Sequence, residues 1–219
     1  MLDFFSPFTF LFRDKDWLKK FAFASLLTYT LIGAAPVMGW TVEIVRRVGS
    51  GNISELPDWE DWKPYWKLGA QFVSINVLWL LPLVLAVIGL YLPLVFVNRL
   101  SGEALLIVWG GTLLCVLIFL LIYSIIYGLF FPAMLVTLAG TGLTWASADP
   151  FRLWKIVRRH FVGYLFVFII VGLGLFNVVL SLSALTLFLL LPPLLVYLSL
   201  VTAHFAGQLM SLDKYLLLS

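Results

Sequence analysis

Two histidines, one cysteine and eleven acids are what this 219-residue sequence offers for acid–base, nucleophilic or metal chemistry. Their spacing assembles none of it. General acid–base work needs a donor and an acceptor within reach of one proton, and a nucleophile needs a base beside it. His160 and His204 are both single. Cys115 also sits in an apolar run, so it reads as a small packed residue, and a single cysteine excludes an internal disulfide. The densest acids, Asp58, Glu60 and Asp61, are a candidate hard-cation cluster. Such sites need oxygens converging from a shaped loop, and no glycine hinges this one, so a solvated turn is expected. No catalytic residue, cofactor or metal site is expected, and the chain does not read as an enzyme.

The elements that hold these residues are apolar. The chain is 63% hydrophobic, 16% aromatic and 11% charged, with a mean hydropathy of +1.07. A soluble domain carries about 45–50% apolar and about 25% charged residues. Fourteen bases and eleven acids cannot cover such a globule in water. The class is an all-α, multi-pass membrane protein. No water-facing domain remains to hold nucleic acid, so nucleic acid is not an expected partner.

Charges bracket the apolar stretches at Lys20 to Glu43, Lys67 to Arg99, Glu103 to Asp149 and Arg159 to Asp213. The third is too long for one straight helix, at 1.5 Å per residue, and the last is long enough for two spans. Pro36, Pro132 and Pro192 interrupt these stretches. Proline removes a helix bond, so bends are expected at all three. Asp3, Asp14 and Asp16 argue against a cleaved signal peptide, although Ala34-Ala35 resembles a cleavage site.

A short pattern repeats. Pro7-Phe8 leads to Trp17 and Phe21, Pro57-Asp58-Trp59 to Trp62 and Trp66, and Pro150-Phe151 to Trp154 and Phe161. Each reads as an interfacial amphipathic elbow before a span, and together they suggest repeat-like halves, about 7–99 and 100–219, within a single transmembrane domain. Asp149 is the expected N-cap of the third elbow. There Arg152, Lys155 and Arg159 fall on one helical face, opposite Leu153, Trp154, Val157 and Phe161. That face is the candidate lipid-binding site, suited to an anionic leaflet or serving only as a topology signal. In the second elbow, a helix would align Trp59, Trp62 and Trp66.

Charge also speaks to topology. Arg13, Lys15, Lys19 and Lys20 precede the first stretch, and Arg46, Arg47, Lys63 and Lys67 follow it. Arg99 stands alone, four bases lie between Arg152 and Arg159, and Lys214 is in the tail. A full first span divides the bases five and nine; a hairpin entering and leaving on one side divides them one and thirteen. The positive-inside rule favours the hairpin, with its turn at Gly33-Ala34-Ala35-Pro36. A single kinked span through Trp40 is the alternative. Four full spans then follow, with Lys15, Lys63 and Lys155 on the cytoplasmic side.

Polar residues inside a membrane are functional candidates by default. Here they are Asn76, Asn177, His204 and Gln208. Asparagines in spans commonly bond a neighbouring helix, and His204 and Gln208 are spaced for a local bond at i, i+4. Glu43 and Arg47 are spaced for a helical ion pair. Ser199, Ala203 and Gly207 recur every four residues, a small-residue seam that suits close helix packing within the chain or an interface between chains.

Several of these residues carry a resemblance. Pro7-Phe8, Phe12-Arg13-Asp14, Trp17-Leu18-Lys19-Lys20, Gly39-Trp40, Arg46-Arg47-Val48, Glu55 through Trp62, Gly69 and Ala206-Gly207-Gln208 occur in this order. So arranged, the chain resembles, over nearly its whole length, a prokaryotic membrane family known only as a domain of unknown function, DUF 4013. Trp40 stands where the family usually has tyrosine. The resemblance implies an integral protein of the prokaryotic plasma membrane and no particular activity. The expected role is a non-catalytic scaffold or accessory subunit that assembles with itself or with other membrane proteins. The alternative is a small transporter, channel or lipid-handling protein, whose mark would be a water-accessible cavity reaching Asn76 or Asn177.

Overall fold

The computed structural model describes residues 2–30, 32–52, 56–91 and 102–212. Glu55 of the acidic motif, Arg99 and Lys214 of the charge count, and the junction between the repeat-like halves lie outside them. Among the described residues there is no strand. In order, the helices are α1 (Ser6–Thr9), a 3-10 turn (Phe10–Arg13), α2 (Trp17–Thr28), α3 (Ala34–Gly49), α4 (Lys63–Gly89), α5 (Gly102–Thr141), α6 (Thr144–Ala148), α7 (Pro150–Arg159), α8 (Phe161–Val167), a π-helical stretch (Phe168–Leu175), α9 (Phe176–Leu185) and α10 (Leu191–Leu212). Among the described residues, four segments are long and apolar enough to cross a membrane: α4, α5, α8 through α9, and α10.

The first stretch is two helices, and they return to where they began. Lys20, in the first turn of α2, donates to the Leu56 carbonyl at 2.9 Å. Trp40, in the second turn of α3, donates to the Pro57 carbonyl at 2.9 Å. The chain therefore leaves this level through α2 and regains it through α3, as a hairpin does and a single kinked helix cannot. At 12 and 16 residues the arms reach only about 18 and 24 Å, short of a hydrocarbon core of about 30 Å. Gly33 makes the turn possible: a Cβ there would stand 2.3 Å from the Leu27 carbonyl oxygen.

Two of the three expected proline bends are absent. Pro36 is the third residue of α3, and Pro192 the second of α10. In a first turn the missing N–H has no helical partner to lose, so proline starts these helices instead of bending them. Pro132 does lie inside a helix, but α5 continues through it for 40 residues, about 60 Å. The stretch from Glu103 to Asp149 is broken, as its length requires, but at Gly142-Leu143 between α5 and α6 and not at Pro132.

The chain forms two compact units. One comprises residues 1–75 and 129–219, the other 76–128. In the larger unit α10 packs chiefly on α3 and α2. The core there includes Trp40, Phe72, Met134, Leu138, Leu153, Tyr164, Leu200 and Phe205. In the smaller unit, segments of α4 and α5 run antiparallel, joined by bonds from Tyr123 to the Trp79 carbonyl and from Tyr127 to the Asn76 side chain.

Backbones touch where α3 crosses α4. A Cβ on Gly39 would lie 1.9 Å from the Tyr65 carbonyl oxygen, and one on Gly69 1.8 Å from that of Ala35. Gly89 and Gly110 have open space instead. Gly39→Ala or Gly69→Ala is therefore expected to cost about 1–3 kcal/mol or more, as overpacking a core does. Gly110→Ala should leave the unfolding midpoint in detergent unchanged. Equal midpoints for all three variants would show that the helices do not cross there.

Candidate functional site

The motif residues converge on one place, the segment from Leu56 to Trp59. Asp14 Oδ2 accepts the Leu56 N–H at 2.8 Å and the Lys20 ammonium at 2.8 Å, while its Oδ1 accepts the Asp16 N–H at 2.7 Å. Lys20 also pairs with Asp58 at 2.7 Å. The Asp14 side chain is 4% exposed and that of Lys20 12%, but the Asp58 carboxylate is 70% exposed. This is a nearly buried pair whose outer partner meets solvent. Around it, Trp59 packs on Trp40, Tyr65 and Phe23, with ring centroids 5.1, 5.5 and 5.2 Å apart. Tyr65 bonds the Asp58 carbonyl at 2.8 Å. Residues 56–62 are not helical, so the expected face of three tryptophans does not form. Trp59 turns inward, and Trp62 stays with Trp66 at 6.1 Å.

A second cluster pins the N-terminus. Gln208 accepts the Asp3 N–H at 2.8 Å and donates to the Asp3 carbonyl at 3.0 Å and to His204 Nδ1 at 3.1 Å. Nδ1 is then the acceptor and Nε2 carries the ring proton, 3.5 Å from Ser6 Oγ. Phe10 lies 4.9 Å from the imidazole. The local bond at i, i+4 is present, and the buried imidazole is enclosed by the chain's own N-terminal segment. The Asp3 carboxyl, held by the N–H groups of Ser6 and Phe5, titrates below its usual range.

The other candidates are placed as follows. Asn76 accepts from Tyr127 on the facing helix. Asn177 does not reach a neighbouring helix: it is exposed and donates to the Leu173 carbonyl of its own. Glu43 pairs with Arg46 at 2.9 Å, closer than with Arg47 at 3.6 Å. The small-residue seam faces α3 of the same chain. Ser199 lies 3.4 Å from Thr41 Oγ1, Ala203 is fully buried, and a Cβ on Gly207 would stand 2.5 Å from Val48 Cβ. That surface is occupied within the chain.

On α7 Asp149 caps the helix through the Phe151 N–H, with Pro150 at its first position. The buried stripe is Leu153, Ile156 and Val157. Trp154 and Phe161, expected with it, are 50% and 42% exposed, because the core is met one residue away. Lys155 and Arg159 share an open depression of about 280 Å³ with Trp154 and Arg158. Arg152 does not line it. Sequence reasoning misses Arg158 as a member of this set, and misses the Asp14–Lys20 pair altogether. Their six-residue spacing is not a helical one, and their backbone partner is far along the chain.

Between α4 and α5 of the smaller unit lies an open groove of about 810 Å³, with Pro82, Ala86, Gly111, Thr112, Cys115 and Phe119 among its walls. Neither asparagine lines it. Among the described residues no three His, Cys, Asp or Glu side chains converge as metal ligands.

The family model described as "Protein of unknown function (DUF4013)" matches residues 22–191. The chain belongs to that family. The match is shorter than the resemblance suggested: Pro7 to Lys20 and Ala206 to Gln208 fall outside it. No curated protein and no solved structure matches the chain.

The electrostatics of the motif cluster are testable. Burial opposes the Asp14 charge, but Lys20 and the N–H groups of Asp16 and Leu56 outweigh it, and the carboxyl titrates below its ordinary 3.8. Burial opposes the Lys20 charge too, but Asp14 and Asp58 outweigh it and raise the ammonium above its ordinary 10.5. Asp14 thus contributes stability present above pH 3.8 and lost as pH falls through its lower folded value. Lys20 contributes stability present below pH 10.5 and lost as pH rises through its higher folded value. Asp14→Asn is expected to cost about 3 kcal/mol at neutral pH, as when one partner of a buried pair is removed. It should also flatten the acid limb of a stability–pH curve measured in detergent. An unchanged limb would show that this carboxylate is not coupled to folding.

Proposed function

We propose that this multi-pass protein acts in the prokaryotic plasma membrane without catalysis, as a scaffold or accessory subunit that assembles with itself or with other membrane proteins. The observation that carries this reading is how little of α4 and α5 the chain uses for its own core. In the most apolar 18 residues of α4 and of α5, 11% and 6% are buried, against 56% in α10.

The glycines point the same way. Gly39, Gly69 and Gly207 are each needed by a neighbouring backbone or side chain of this chain, whereas a Cβ added to Gly89, Gly110 or Gly111 would meet nothing within 4 Å. Small residues let membrane helices approach closely. On the walls of the groove, Ala86, Gly111, Thr112 and Cys115 leave room for another helix. The amphipathic α7 supports attachment to an anionic leaflet, each base near such a surface adding about 1 kcal/mol.

The test is the protein mass of the full chain in mild detergent and in nanodiscs, with everything that co-purifies identified. A particle heavier than one 24.7 kDa chain is expected. Gly111→Leu should return it to one chain without loss of helical content. A single chain with no protein companion, unchanged by Gly111→Leu, would remove the proposal.

A further inference from the structure

The link between α9 and α10 is apolar on its outer surface. Its large side chains point outward: Leu185, Leu187 and Leu189 are 81%, 84% and 67% exposed, and Phe188 and Leu190 are also exposed. Water would oppose such a surface. The backbone is closed in a way that water would not require. The N–H groups of Thr186, Leu187, Phe188, Leu189, Leu191 and Leu194 all donate to carbonyls within the link and its helix ends. Leu190 donates to Thr186 Oγ1, and Pro192 and Pro193 have no N–H to satisfy. Closing the turn takes Leu187 and Phe188 into left-handed backbone, at φ 50° and 64°, where bulky residues are rarely found. In lipid, unlike in water, every backbone donor must be satisfied internally.

Depth can be measured along two paths within the larger unit. The Tyr29 hydroxyl donates to the Leu189 carbonyl, so the turn of the α2–α3 hairpin meets this link. From Tyr29 back to Lys20, which pairs with the solvent-exposed Asp58, is nine residues of mostly helical chain, about 14 Å. Along α10, Leu189 lies ten residues from Ser199, about 15 Å. Ser199 touches Thr41, the neighbour of Trp40, whose N–H holds the Pro57 carbonyl beside Asp58. Both paths put the solvated Asp58 carboxylate about half a hydrocarbon thickness from the turn.

We propose that lipid acyl chains cover both turns, so that the α9–α10 link, like the α2–α3 turn, ends inside the bilayer and does not emerge on the far side. The segment from α8 through α9 is longer than this depth requires; it runs obliquely or begins outside the hydrocarbon.

The experiment is collision accessibility of spin labels on the full chain, in a Cys115→Ala background, reconstituted in vesicles of three parts phosphatidylcholine to one of phosphatidylglycerol. Leu187→Cys, Ile32→Cys and, as reference, Lys155→Cys are labelled. All three side chains are exposed, so a label displaces no packing, and Phe188→Cys provides a second site in the link. Oxygen should relax labels at 187, 188 and 32 several-fold more effectively than a water-soluble nickel chelate, with the order reversed at 155. Nickel access at 187 and 188 equal to that at 155 would place the link in water and overturn the proposal. Sites closed to both reagents would show that protein, not lipid, covers the turns, and would equally overturn it.

Discussion

The carboxylate of Asp14 and the ammonium of Lys20 are nearly buried in a chain with few charges, and the fold of the larger unit depends on how they are satisfied. Each recruits more than the other: Asp14 takes the N–H of Leu56, and Lys20 takes the Leu56 carbonyl and the Asp58 carboxylate. A buried ion left without its partner is costly, so these bonds constrain the path of the chain over long range. Residues before the hairpin are tied to the segment after it. Trp40 adds a third tie through the Pro57 carbonyl. The Leu-Pro-Asp-Trp motif is therefore a clasp, and Asp58 serves structure where its spacing suggests only a solvated turn.

Close packing follows from the clasp. With both arms of the hairpin held at one level, α3 can lie against α4 with glycines on both sides and against α10 through Gly207. Helices in lipid have little hydrophobic drive to associate, so contact of this kind must supply much of it. The N-terminal segment also packs on α10, through Gln208, His204 and Phe10.

What is legible in the sequence is local. The class, the four apolar segments, the Asp149 cap, the Glu43 ion pair and the hairpin at Gly33 follow from composition, spacing and charge. What is hidden is non-local. Nothing in the spacing of Asp14 and Lys20 points to Leu56, and no periodicity tells Trp59, which turns inward, from Trp62, which does not. Pro36 and Pro192 mislead because a proline's effect depends on whether it falls in a first turn, which the apolar run around it conceals. Asn177 misleads for a similar reason: the backbone of its own helix is a nearer partner than any neighbour. In α5 the whole helix is apolar, so no stripe separates its buried end, Phe130 to Ala139, from the exposed remainder.

If the clasp organises the fold, Lys20 and Trp40 act through one segment although their side chains bond different carbonyls. The direct measurement is a double-mutant cycle of unfolding free energy between Lys20→Met and Trp40→Phe in detergent. The account predicts a coupling on the order of 1 kcal/mol, the second substitution costing less once the first has freed the segment. Additivity within about 0.3–0.5 kcal/mol would mean that the two arms are held independently, and would contradict it.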